Sequence, residues 1–203
     1  MFVRTVYVTG DPAKIDTAVR ALNTEGRELL EERPGYLGAG VFTDHELGKL
    51  LAESWWASEE ARSNSDTVMR QHREALLEPF AGTLTVENLQ AAVHRSLRVP
   101  RMGGGLRVSR VEFDPADADL FTETFRSTVL PRLETLPGLV RTALLIDREH
   151  GRGRVGALFV DRASMAASRA GQAAARHEGV AKARVGVVSL EEFEVVHADA
   201  LPG

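Results

Sequence analysis

Pro34-Gly35-Tyr36-Leu37-Gly38-Ala39-Gly40-Val41-Phe42-Thr43-Asp44-His45-Glu46-Leu47-Gly48 returns 103 positions later as Pro137-Gly138-Leu139-Val140-Arg141-Thr142-Ala143-Leu144-Leu145-Ile146-Asp147-Arg148-Glu149-His150-Gly151. Pro-Gly and Asp-x-Glu-x-Gly are kept, while the apolar run between them is rewritten. Working outward, Asp11-Pro12-Ala13 falls on Asp114-Pro115-Ala116 and Val93-His94 on Val196-His197, so residues 1–100 lie on 104–203 without a gap. The kept residues are those that punctuate a fold: Asp-Pro opens a helix, Pro-Gly closes one, and Asp-x-Glu-x-Gly makes a tight connection. A period this long is far outside that of a solenoid and predicts two fused domains, packed as a pseudo-symmetric dimer within one chain. The expected boundaries are residues 1–99 and 106–203, each of normal domain size, joined by a linker at 100–105 (Pro100-Arg101-Met102-Gly103-Gly104-Gly105). The three glycines lack the Lys-Ser/Thr or GxGxxG frame of a phosphate loop, so they read as a join.

Each copy predicts the order β-α-β-β-α-β. Phe2 to Thr9 is β-rich, and Asp11 can cap a helix with Pro12 at its first position. Ile15, Ala18, Val19, Leu22, Gly26 and Leu30 recur at helical spacing, echoed by Ala118, Phe121, Phe125, Val129 and Leu133. Tyr36 to Phe42 reads as a second strand and the third ends at Trp55-Trp56. Ser58 and Asp161 occupy one aligned position, and both are good N-caps for a helix that runs to about Leu77 in the first copy. A last strand is expected around Val86 to Leu97, after a Pro79-Phe80-Ala81-Gly82 connection, with Val187 to His197 as its counterpart. This is the α+β, ferredoxin-like plan, a four-stranded antiparallel sheet with two helices on one face. Ala39 to Phe42, Ala143 to Ile146 and Val185 to Val188 are almost continuously apolar, so both sheet faces should be covered. Helices cover one face. The other copy's sheet is the natural cover for the second, packed sheet to sheet to give eight strands around a shared interior.

Composition narrows the function classes. The formal net charge of −4 comes with interspersed acids and bases and no basic stripe, which argues against nucleic acid. Without cysteine there is no disulfide, thiolate nucleophile or thiolate metal site, in keeping with a cytoplasmic protein. Met1 leads directly into the first strand with no signal-like leader, and no apolar run approaches the roughly 20 residues of a membrane span. No Gly-x-Ser-x-Gly elbow, Walker loop or dinucleotide fingerprint occurs, and the histidines show no metal-ligand spacing.

The segment Arg33-Pro34-Gly35-Tyr36-Leu37-Gly38, followed by Trp56-Ala57-Ser58-Glu59-Glu60-Ala61, resembles the antibiotic biosynthesis monooxygenase (ABM) family of the dimeric α/β-barrel superfamily. The second copy keeps Leu136-Pro137-Gly138-Leu139 and replaces the tryptophan signature by Leu158-Phe159-Val160-Asp161. The resemblance implies a barrel in tandem duplicate. It also implies an oxidation of reduced aromatic polyketides by O2 with no bound cofactor, the activity of anthrone-type members. Those members carry a tryptophan at the place of Trp56, an asparagine four residues before it and a tyrosine six after it. Here the flanking positions are Ala52 and Arg62. Haem-degrading relatives carry a tryptophan and a histidine on the second helix, where this chain has Ser65 and, not clearly aligned, His72.

The residues themselves nominate a site in the first copy. Trp55 and Trp56 are adjacent on a strand and point to opposite faces, so one indole at most walls a given pocket. Ala61, Ser65, Val68 and His72 share a helix face with Asn64 beside them, where the second copy has Ala167, Ser168, Gly171 and Ala175. That asymmetry makes the first copy the candidate active one and the second a scaffold. His72 is the candidate base and Trp56 the stacking wall, with Trp55, Asn64, Arg62 and Ser65 as further substrate contacts. His94 and His197 coincide and could pin the seam of the barrel, whereas coincident Arg4 and Arg107 could meet acids, hold an anion or lie on the surface. The leading expectation is a cofactor-independent monooxygenase for a planar aromatic molecule, monomeric through its internal pseudo-dimer or further associated. The alternative is a binding module for a hydrophobic or planar ligand, and the blandest reading is a protein with no pocket.

Overall fold

A computed structural model describes residues 1–202, which contain eight strands: β1 (Phe2–Gly10), β2 (Tyr36–Asp44), β3 (Lys49–Trp56), β4 (Ala81–Ser96), β5 (Gly105–Glu112), β6 (Leu139–Asp147), β7 (Arg152–Phe159) and β8 (Gly186–Ala198). Their hydrogen-bonding order is β1-β3-β2-β8-β5-β7-β6-β4 and closes on itself as an antiparallel barrel. The chain divides into two compact units, residues 1–88 with 194–202, and residues 89–193. β4 and β8 are each divided between the units, at 88/89 and at 193/194.

In the first unit β1 and β2 flank β3, in register from Phe2↔Trp56 to Thr9↔Lys49 and from Tyr36↔Trp56 to Asp44↔Lys49. The end of β8 adds to β2 between Gly40↔Ala198 and Thr43↔Glu194. In the second unit β5 and β6 flank β7 in the same register at the repeat offset, from Gly105↔Phe159 to Glu112↔Arg152 and from Leu139↔Phe159 to Asp147↔Arg152. There the end of β4 adds to β6 between Gln90↔Ile146 and Ser96↔Arg141. Both additions carry a bulge, at Val41/Phe42 and at Ala91/Val93, which turns a long strand without losing its pairing. β4 begins at Ala81, five residues before the sequence places it, and runs beside β1, with the Thr83 and Thr9 hydroxyls 2.6 Å apart. Gly82 and two threonines hid that start by lacking an apolar alternation.

The first helical run, α1 (residues 12–31), opens as a tight turn capped by Asp11, whose Oδ1 accepts from Ala13 N at 3.0 Å. It widens to a π turn at Leu22–Gly26 before finishing at Glu31. Its counterpart α3 (residues 115–134) repeats the Asp114 cap and the π turn, at Phe125–Val129. Between them α2 (Glu59–Leu77) is capped by Ser58, which accepts from Ala61 N at 3.1 Å. Asp161 does the same for α4 (Arg162–Ala167), and a break at Ser168 separates α4 from α5 (Arg169–Ala183). Val6, Val8, Ile15, Leu50 and Leu77 form the first unit's apolar core with Phe80, and Phe121, Phe125, Leu144, Ile146 and Phe159 dominate the second's. Among the described residues no helix is long and apolar enough to cross a membrane.

Candidate functional site

Arg4 sets the geometry of the first unit. It sits on β1 among Val3, Thr5 and Val6 and is 3% exposed, and its guanidinium reaches α2, where Nη1 donates to Ser65 Oγ (2.8 Å) and Nη2 to the Arg62 carbonyl (2.6 Å). Ser65 Oγ in turn donates to the Arg62 carbonyl at 2.7 Å, so the hydroxyl both accepts from Arg4 and donates within α2. Arg4 Nε makes no hydrogen bond, and Asp66 Oδ1 stands 3.5 Å away. Asp66 also serves Arg70 (3.0 Å) and Arg73 (3.3 Å), one carboxylate among three guanidiniums. Burial lowers the Arg4 pKa to about 10; Asp66 opposes this, and the like charges of Arg73, Arg62 and Arg70 reinforce it.

Beside this arginine a cleft opens between sheet and helices, with about 680 Å³ of atom-free space, part of it open to solvent. Its wall is largely apolar: Val6, Ala52 and Val41 from the strands, Leu22, Gly26 and Leu30 from α1, and Met69, Leu76 and Leu77 from α2. Arg4, Arg73, Glu53, Ser54 and Asn23 supply polar groups, and Arg27 and His197 line it too. The π turn of α1 contributes Leu22, Asn23 and Gly26, the position such a turn often takes at a functional site. His197 Nε2 lies 2.9 Å from Arg27 Nη1 and 3.0 Å from Asp199 Oδ1, and Asp199 also accepts from Ala39 N (2.9 Å) and the Tyr36 hydroxyl (3.4 Å). Burial, with Asp199 next, raises the Tyr36 pKa, so the phenol stays protonated.

The sequence-derived residues fall on both sides of this picture. Arg62 and Ser65 are brought together under Arg4, Arg62 Nη2 also donating to Glu59 at 3.2 Å. Trp56 is wholly buried, its Nε1 donating to Ser54 Oγ at 3.0 Å and its ring edge-on to Tyr36 with centroids 5.7 Å apart. Trp55 is buried as well, its Nε1 donating to Glu53 Oε2 at 3.3 Å. Neither indole is on the cleft wall, which Ala52, Glu53 and Ser54 make instead. The expected face of α2 is corrected: Arg62, Ser65, Met69, Arg73 and Leu77 are buried, whereas Asn64, Val68 and His72 are exposed. Two arginines in the buried stripe read as polar, so the apparent apolar face was rotated by one position. His72 therefore lies off the cleft. Arg73, Met69 and Asp199 were missed, and His197, singled out as a seam residue, was not placed on a cleft, although Arg73 falls on Arg176 at the repeat offset just as Arg4 falls on Arg107.

The second unit repeats the clamp. Arg107 Nη1 donates to Ser168 Oγ (3.1 Å) and Nη2 to the Met165 carbonyl (2.8 Å), while Nε and Nη2 also bond Glu192 Oε1 at 2.9 and 2.6 Å. A second cleft, with about 550 Å³ of atom-free space, part of it open to solvent, lies at the equivalent place, lined by Val111, Phe121, Phe125, Val129, Leu133 and Gln172 among others. Of the coincident histidines, His94 pairs opposite Ala143 on β6 and His197 opposite Val41 on β2, each on a strand that closes the barrel. Burial, with Arg141 next, pushes the His94 imidazole down to about 4, so it is neutral near pH 7.

The structural neighbours extend over both halves on a single chain. A Fusobacterium nucleatum protein provisionally named a monooxygenase superposes with a TM-score of 0.72 at 14% identity, covering 98% of this chain and 93% of that one. An anthrone oxidase-like protein gives 0.70 at 13%, covering 97% and 91%. The fold is the one these structures share, an eight-stranded antiparallel α/β barrel. In sequence, the uncharacterised protein Rv2557 of Mycobacterium tuberculosis (strain ATCC 25618 / H37Rv) is 29% identical over 160 residues, 78% of this chain and 71% of its own. No known family profile matches the chain. The barrel is thus monooxygenase-like in architecture, and its chemistry has to be argued from the cleft.

Proposed function

We propose that the first-unit cleft binds a flat aromatic molecule and oxidises it with O2, in the manner of cofactor-independent monooxygenases. One observation carries the reading: a largely apolar cleft, open in part to solvent, has the buried Arg4 and Arg73 guanidiniums on its wall. A ring CH2 conjugated through the arene to a ring carbonyl loses a proton to give an enolate; the enolate transfers an electron to O2, and recombination with return of the proton gives a hydroperoxide. Loss of water then leaves a ketone, so that CH2 and O2 become C=O and H2O. The protein's part is to stabilise the enolate oxygen and exclude bulk water, which desolvated guanidiniums on an apolar wall are suited to do. His197 and Glu53 line the same cleft and are the groups able to accept the proton. Cytoplasmic residence belongs to this proposal and draws support from the absence of cysteine.

The test is O2 uptake by the full chain with a reduced anthrone under air. Arg73→Gln should slow turnover by about 10²-fold, the scale of one lost oxyanion donor. Met69→Trp, which fills the cleft, should abolish it, and His72→Ala should leave it unchanged. Absence of uptake in wild type with tight anthrone binding would select the ligand-binding module instead. A Soret shift on haem titration would move the ligand class from anthrone-like to haem.

A further inference from the structure

We infer that the ligand of the first-unit cleft is an anion, an aromatic carboxylate, bound through Arg4 and Arg73; this rests on the cleft's being the ligand site proposed above. The two halves of the molecule provide an internal comparison. In the second unit the guanidinium of Arg107 is complete: Ser168 and the Met165 carbonyl hold one edge, and one oxygen of the Glu192 carboxylate, Oε1, accepts from both Nε and Nη2. In the first unit Ser65 and the Arg62 carbonyl hold the same edge of Arg4, but no hydrogen bond reaches Nε. The sequence position matching Glu192 is Leu89, so the acid that completes the second clamp has no counterpart on the last strand of the first. Asp66 does not replace it, being 3.5 Å from Arg4 and divided between Arg70 and Arg73. Arg73 Nε is also buried without a hydrogen bond, and Arg73 lines the cleft together with Arg4.

A buried guanidinium edge left without an acceptor costs free energy, and a carboxylate oxygen makes the strong, charge-assisted hydrogen bonds that such an edge lacks. Glu192 shows that the same clamp accepts such a group, since it is the protein's own carboxylate at Arg107. Arg27 on the cleft wall is matched by Glu31 and Asp199, whereas Arg4 and Arg73 share the single carboxylate of Asp66 with Arg70, so positive charge outweighs its acid at that end of the cleft. The apolar surface of Val6, Leu22, Met69 and Leu77 receives the rest of the ligand, which makes it a ring system bearing an acid and not an inorganic anion.

Calorimetric titration of the full chain with 2-naphthoate and with its neutral isostere 2-naphthamide tests this. The acid should bind wild type at least about tenfold more tightly, as one charge-assisted pair gained. Arg73→Gln should remove most of that preference and Arg73→Lys should retain part of it, with both variants showing the wild-type far-UV spectrum. Arg4→Gln is a weaker probe, because Arg4 also ties β1 to α2. Equal binding of acid and amide, a preference untouched by Arg73→Gln, or binding of neither ligand would each overturn the inference. Anthrone oxidation without acid preference would remove the anion site and leave the oxygenase reading standing. Acid-selective binding without O2 uptake would do the reverse.

Discussion

At Arg107, 2% exposed, the guanidinium and its acid show what a buried charge contributes, because taking away one partner strands the other. Arg107→Ala should cost about 3 kcal/mol in urea unfolding, the low end for a broken buried pair, since Glu192 keeps 30% of its surface in water. Glu192 also makes the effect depend on pH. The hydrogen bond from Arg169 holds its carboxyl below the usual carboxylate range; burial acts the other way, and Arg107 adds to the lowering. A group whose folded pKa is depressed binds fewer protons when folded than when unfolded, so its stabilisation is present above its unfolded value near 4.5 and is lost as pH falls through the folded one. The urea midpoint should therefore decline below about pH 4.5 in wild type, and Glu192→Gln should flatten that decline. An unchanged slope in the variant would show that other carboxylates govern acid unfolding.

Helix α2 is where reading from sequence and reading from structure part company, for a physical reason. The stripe of Arg62, Ser65, Met69, Arg73 and Leu77 has the i, i+3, i+4 spacing of a buried face, but three of its five side chains are polar. Burial of those groups is supported by Arg4 on β1 and by Asp66 within α2, partners that hydropathy along one element cannot reveal. Strands, caps and turns were legible because Asp, Ser, Pro and Gly act locally; the π turns were not, because nothing local marks them. Gly48 illustrates the legible class: its φ of +58° and a would-be Cβ only 2.3 Å from the Gly10 carbonyl oxygen leave room for no other residue, and Gly151 repeats both features against Phe113. On α2 the two readings predict opposite mutational outcomes. His72→Ala, on the exposed face, should change stability by less than about 0.5 kcal/mol, whereas Leu77→Ala should cost about 2–5 kcal/mol through the cavity it leaves. Thermal unfolding of both variants decides it, and a large effect at His72 would restore the face inferred from sequence.

For the whole molecule, the repeat announced two copies, and the compact units differ from those copies by an exchange of strand ends. Residues 194–202 belong with residues 1–88: Asp199 accepts from Ala39 N, Arg27 and the Tyr36 hydroxyl, and β8 pairs with β2 from Thr43↔Glu194 to Gly40↔Ala198. Residues 89–96 belong with the second unit, where β4 pairs with β6, Arg95 bonds Glu134 at 2.8 Å and Arg126 donates to the Ala92 carbonyl at 3.1 Å. The offset in the sequence could not show this, because a strand that serves its own copy and one that serves the other have the same apolar pattern. Severing the chain within residues 100–105 would leave each piece without the strand end that pairs with its second strand, β2 in one and β6 in the other. An open, largely apolar strand edge invites aggregation, and the lost polar contacts leave Arg27, Tyr36 and Arg126 without partners supplied by the other piece. The fragments 1–99 and 106–203 expressed separately should therefore be insoluble or give featureless near-UV circular dichroism. Co-expressed, they should recover a soluble one-to-one complex with the near-UV spectrum of the intact chain. Either fragment folding alone as a stable monomer would mean that the exchanged strand ends are ornaments of the barrel; recovery only on co-expression would mean that the linker serves to hold together two halves that complete one another.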